Sequence, residues 1–135
     1  MKGILADNDS EGLLEVILHI WSSNTWRDLW NDLGLSVESF LALGLSPESS
    51  DALIWRTCQE EKLVLITGNR NADGVDSLEM VIRVENQPDS LPAVTLANPK
   101  RILKDRIYAE KAAEKLLDYL TRIDDFRGAG RIYAP

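Results

Sequence analysis

Two apolar runs in this chain end in polar clusters. Gly3-Ile4-Leu5-Ala6 runs into Asp7-Asn8-Asp9, and Lys62-Leu63-Val64-Leu65-Ile66-Thr67 runs into Gly68-Asn69-Arg70-Asn71. Between them in sequence, Ser49-Ser50-Asp51 heads a helical pattern. Carboxylates and amide carbonyls are hard oxygen donors. Mg2+ is typically held by one or two carboxylates, with waters and phosphate oxygens completing the shell. Carboxylates crowded together repel one another until a cation is bound. A cation held this way activates a water and steadies a phosphodiester oxygen. If the two runs are neighbouring strands, Asp7, Asp9, Asp51, Asn69 and Asn71 converge on such a site. Each also has a plainer role. Asp9 and Asp51 suit helix N-caps, and Asn-rich loops are ordinary turns.

Open α/β sheets bind ligands outside the carboxyl ends of their strands, so the surrounding elements must bring those ends together. Gly3 to Ala6 reads as a buried strand. Ser10 or Asp9 caps the next helix, where Leu13, Leu14, Ile17, Leu18 and Trp21 recur at helical spacing. A second helix is expected from Thr25 to Leu33, with Asn24 as N-cap and Gly34 as stop. Trp26 and Trp30, four apart, share one of its faces. A short strand is expected around Val37 to Leu41. The turn cluster Ser46 to Ser50 leads into a helix from Asp51 to Glu61. Lys62 to Thr67 is almost wholly apolar, as suits a parallel strand covered on both faces. A helix starting at Val75 or Asp76 runs to Arg83 or Glu85, and Pro92 to Leu96 forms a late strand. The terminal helix, 108–121, carries Ala112, Ala113, Leu116, Leu117 and Leu120 on one side. Asp124 to Pro135 is expected to pack as an extended arm. Strands alternating with helices predict a single α/β domain over 1–135 with a mainly parallel central sheet.

Composition narrows the function classes. With 135 residues, 44% hydrophobic and 27% charged, the chain is no disordered, collagen-like or disulfide-stapled sequence, and it is long enough for one real core. The lone Cys58 sits in an apolar-periodic run and reads as a small buried thiol. One Cys and one His exclude a zinc-type spacing, and a reducing compartment is expected. Only four residues separate Lys2 from Asp7, too short for a signal-peptide core. No run approaches the roughly 18 apolar residues of a membrane helix. These features predict a cytoplasmic protein with no membrane partner.

The net charge is −7. Residues 1–68 hold 11 acids and 4 bases, whereas residues 69–135 hold 11 of each. The excess therefore lies wholly in the first half, as solubility charge or as an acidic pocket awaiting a cation. Such a chain is a poor non-specific DNA binder. Lys100, Arg101, Lys104 and Arg106 form one local basic cluster, either a solvated helix face or a contact for a phosphate backbone.

Taken together, Ile4-Leu5-Ala6-Asp7-Asn8-Asp9, the helix-heading Ser49-Ser50-Asp51 and Val64-Leu65-Ile66-Thr67-Gly68-Asn69-Arg70-Asn71 resemble the PIN-like superfamily. More narrowly, they resemble small bacterial PIN-like proteins related to the Mut7-C domain. The resemblance covers about residues 2–97. It implies a three-layer α/β/α fold, an acidic cluster binding Mg2+ or Mn2+, and cleavage of single-stranded RNA. It also implies a toxin-type ribonuclease neutralised by an antitoxin-like protein. Carried over, Asp7, Asp51, Thr67 and Asn69 are the catalytic candidates. Asp7, Asp9, Asp51 and Asn71 are the metal candidates, and Asn8, Arg70, Asn71 and Asp76 the substrate-binding ones. The family usually carries T-x-D-x-D where this chain has Thr67-Gly68-Asn69-Arg70-Asn71. Amides offer carbonyl oxygens without charge, so cation affinity is expected to fall unless Asp9, Asp73, Asp76 or Glu79 compensates.

Two other readings stand beside this one. A catalytically weakened PIN-like module would bind nucleic acid or protein, with Trp21, Trp26, Trp30 and Trp55 serving either the core or a partner or homodimer face. Alternatively, Asp7-x-Asp9 resembles the opening of haloacid-dehalogenase-type phosphatases, although no later apolar strand ends in an acidic pair. His19 lies in an apolar helical run and reads as a core or boundary histidine.

Overall fold

The computed structural model describes residues 1–68 and 77–135. Asn69, Arg70, Asn71, Asp73 and Asp76 lie outside the described residues, and so does the expected helix start at Val75 or Asp76. The chain builds β1 (Gly3–Ala6), α1 (Glu11–Trp21), α2 (Arg27–Leu33), β2 (Ser36–Glu38), α3 (Asp51–Glu61) and β3 (Leu63–Thr67). It continues through α4 (Leu78–Glu85), β4 (Ala93–Leu96), α5 (Pro99–Lys104), α6 (Arg106–Thr121) and β5 (Arg131–Ala134). The five strands form one sheet in the order β2-β1-β3-β4-β5, and every pairing is parallel.

The side-chain period of two divides each strand between two cores. Ile4, Ala6, Val64, Ile66, Val94 and Leu96 pack under α1, α5 and α6. Leu5, Leu63, Leu65 and Ala93 pack under α3 and α4. The result is a three-layer α/β/α domain whose central strands are buried on both faces, which explains their unbroken apolar sequences. Trp21 anchors the first core. Its indole N–H donates to the Ala113 carbonyl at 3.0 Å, and its ring stacks on Trp30 at 4.6 Å.

Several local expectations need correction. The second helix starts at Arg27 behind Trp26, with no side-chain cap, because turn hydrogen bonds to Ser23 already occupy the N–H groups of Trp26 and Arg27. Its stop at Gly34, in the left-handed region at φ 61°, is as expected. The short strand is Ser36–Glu38 and does not reach Leu41. Phe40 is buried beneath α3 and α4, which pulls the chain off the sheet edge into a turn closed by the Leu45 N–H on the Phe40 carbonyl. α5 had no apolar period to reveal it. Asn98 caps this short helix, and Pro99 occupies its first turn.

The tail is not an extended arm throughout. Ile123–Phe126 makes a 3-10 turn, and Arg131–Ala134 pairs with β4 as an edge strand. This last strand has an unusual connection. The steps β3→β4 and β4→β5 run the same way across the sheet. Yet α4 lies on one face and α6 on the other. The β4→β5 crossover therefore has the opposite hand to the β3→β4 crossover, against the strong preference for one hand in parallel units.

Candidate functional site

β1 and β3 are adjacent and in register, Ala6 opposite Ile66, so Asp7 and Thr67 leave the sheet side by side. Alternation places both on the α3–α4 face. The chain leaves β1 towards β2 on one side and returns to β3 on the other, so this is a topological switch point, where open α/β sheets take ligands.

Asp7 is held from several directions. Its N–H donates to the Ile66 carbonyl at 2.9 Å, and its own carbonyl accepts the Ser10 N–H at 2.8 Å. The fully buried Thr67 hydroxyl donates to Asp7 Oδ2 at 3.0 Å. Burial pushes the Asp7 carboxyl above its ordinary range. The Thr67 hydroxyl and the Asn8 N–H pull it down, while the charges of Asp51 and Asp9 add to the rise. The physical content is an anion short of water and facing like charges.

The cleft in front of Asp7 has a volume of about 430 Å³, and Asn8, Asp9, Asp51, Gly68 and Pro99 are among its walls. Ser10 does not cap α1 with its side chain. Its buried Oγ instead accepts the Gly68 N–H at 3.0 Å, tying the β1 turn to the end of β3. A Cβ on Gly68 would lie 2.8 Å from Pro99 Cγ, so glycine is what lets this wall close. Asp9 makes no side-chain cap either.

Asp51 is also no cap for its own helix. Ser50 fills that role, accepting the Leu53 N–H. Asp51 Oδ2 accepts the Leu78 N–H at 3.0 Å, so one carboxylate both faces the cleft and satisfies the first turn of α4. Ser77 completes that turn by accepting the Met80 N–H.

Asp7, Asn8, Asp9 and Asp51 are thus brought to one cleft, with Thr67 directly behind Asp7. Asn69, Arg70, Asn71 and Asp76 lie outside the described residues. Glu79 pairs with Arg131 at 3.5 Å. Among the described residues, no group of three or more His, Cys, Asp and Glu side chains is placed to hold a metal. Asp7 and Asp51 nevertheless fit a cation that takes one or two carboxylates and keeps its waters, as Mg2+ does. Pro99 is the wall that sequence reasoning missed, since no local pattern joins it to Gly68. Cys58 lies buried nearby, and burial, helped by the Asp7 charge, pushes its thiol up to about 12. It is an inert packing group.

Among the described residues, no helix is long and apolar enough to cross a membrane. Comparison with protein-family models, with curated proteins and with solved structures finds no match.

Proposed function

We propose that this cleft is the active site of a PIN-like, Mg2+- or Mn2+-dependent nuclease acting on single-stranded RNA. The observation that carries the reading is Asp7. It stands at the switch point, oriented by Thr67, partly stripped of water and facing Asp9 and Asp51. That arrangement is costly without a counter-charge and useful with one. A bound divalent cation supplies activation of a water and charge stabilisation on the phosphodiester. The chain's own residues do the remaining work. Thr67 fixes the Asp7 carboxylate by donating to Oδ2, and the Asn8 N–H holds it from the turn. Asp51 adds a second carboxylate from the α3 terminus. The Ser10–Gly68 tie and Pro99 hold the walls. The end of β4, Ala97-Asn98-Pro99, brings no carboxylate, which favours this reading over a phosphatase of the haloacid-dehalogenase type.

A second reading has its own observation. Asn69 and Asn71 stand where the family carries acids, and amides bring no charge to a cation, which favours a weakened PIN-like module that binds nucleic acid or protein.

Titration calorimetry with Mn2+ on the wild type and on Asp7→Ala separates the two. The nuclease reading expects binding that is lost in the variant, with Mn2+-dependent cleavage of single-stranded RNA falling at least about 100-fold. Absence of wild-type binding at millimolar metal supports the binding module instead.

A further inference from the structure

The geometry points to the α5–α6 corner as the track that leads a single nucleic-acid strand into the cleft, with Lys100 and Lys104 holding its phosphates. The inference rests on the nuclease reading, because it concerns the substrate of that site. Pro99, the first residue of α5, is itself a cleft wall, packed close to Gly68. The next residues carry the main local run of positive charge in an acidic molecule, Lys100, Arg101, Lys104 and Arg106.

Two of those cations are engaged. Arg101 pairs with Asp105 and Arg106 with Glu110. Lys100 and Lys104 are exposed, and neither has an ion-pair partner among the described residues. They stand four apart, about one helical turn, so they share a face.

The corner is not purely charged. Leu103 is 60% exposed and Ile107 69% exposed, at the same corner. The Arg101 guanidinium sits 4.5 Å from the centre of the Tyr108 ring. Cations for phosphates, interleaved with apolar and aromatic surface for bases, are what single-strand binding uses without sequence preference. An acidic cleft repels a polyanion, so a cationic rim beside it supplies the attraction the cleft lacks.

The test is fluorescence anisotropy with a labelled, unstructured single-stranded RNA oligonucleotide. The protein is Asp7→Asn, to block cleavage, alone or combined with Lys100→Gln/Lys104→Gln. The lysine pair is expected to weaken binding about tenfold at low salt and to flatten the plot of log affinity against log salt by about 1.4, for two lost contacts on a single strand. Lys2→Gln/Arg83→Gln removes the same charge elsewhere and is expected to leave the slope nearly unchanged. Circular dichroism checks that each variant is folded.

RNA that is not bound, or is bound equally by the lysine pair and by the charge control, overturns the track. Cleavage by Lys100→Gln/Lys104→Gln with Asp7 intact at the wild-type rate also overturns it, while leaving the nuclease reading intact. Lysine-dependent binding without any Mn2+-dependent cleavage keeps the track and removes the nuclease.

Discussion

Asp7 shows how a single side chain can work against stability and for function. Its carboxyl is held above its ordinary range, chiefly by burial, whereas in the unfolded chain it is not. Between the ordinary pKa and the raised one, the folded state binds more protons than the unfolded state. Stability therefore falls as pH rises through that window, and the loss is complete above the raised value. Asp7→Asn removes the charge while keeping an oxygen that accepts from Thr67. The variant is expected to melt a few degrees higher than the metal-free wild type at neutral pH. That advantage should vanish below the ordinary carboxylate range. Thermal melts from pH 3 to 8 check this, and a variant less stable at neutral pH would contradict it. The candidacy of Asp7 was readable from an acid at the end of an apolar strand. Thr67 was a candidate only through the family resemblance, and its bond to Asp7 was not readable, because the two lie 60 residues apart and meet only through strand register.

At the scale of elements, the site depends on helix starts as much as on strands. Asp51 joins α3 to α4 by accepting the Leu78 N–H. Removing it leaves a backbone donor in the first turn of α4 without that acceptor. Asp51→Ala is expected to cost about 1 kcal/mol, as loss of a helix cap does, and Asp51→Asn less, because an acceptor oxygen remains. Urea unfolding midpoints measure the difference. If Asp51→Ala is as stable as the wild type, the link between α3 and α4 is not energetic. The sequence left Asp51 divided between capping its own helix and serving a site. The structure assigns the cap to Ser50 and turns Asp51 towards another helix, a choice that only the packing of α3 against α4 makes. The opposite happens at α3 and β3. Strong patterns there, an amphipathic run and then an apolar one, gave nearly the right limits. Their burial pattern matches their local periodicity, so nothing tertiary overrides it.

At the scale of the whole molecule, two cores share one sheet, and Cys58 belongs to the core beneath α3 and α4. Its thiol, pushed up to about 12 and buried, can react only when that layer opens. Disulfide-reagent labelling in mildly alkaline buffer should run at least about 1,000-fold slower than in concentrated urea, in line with ordinary domain stability. Fast labelling of folded protein would mean that the layer opens locally.

Much of this architecture follows from sequence alone. Apolar runs buried on both faces require a covered parallel sheet, and alternation with amphipathic helices requires an α/β domain. Those features are local periodicities, and local periodicity survives without knowledge of neighbours. Tertiary structure decided what depends on residues far apart meeting. It set Asp7 beside Thr67, Ser10 on Gly68, Pro99 as a wall and Asp51 on α4. It also returned the tail as β5 through a crossover of the opposite hand, with α6 committed to the face that α1 already covers. No pattern in residues 106–135 encodes that hand, because the apolar stripe of α6 is buried against α1 and against strand side chains from distant parts of the chain.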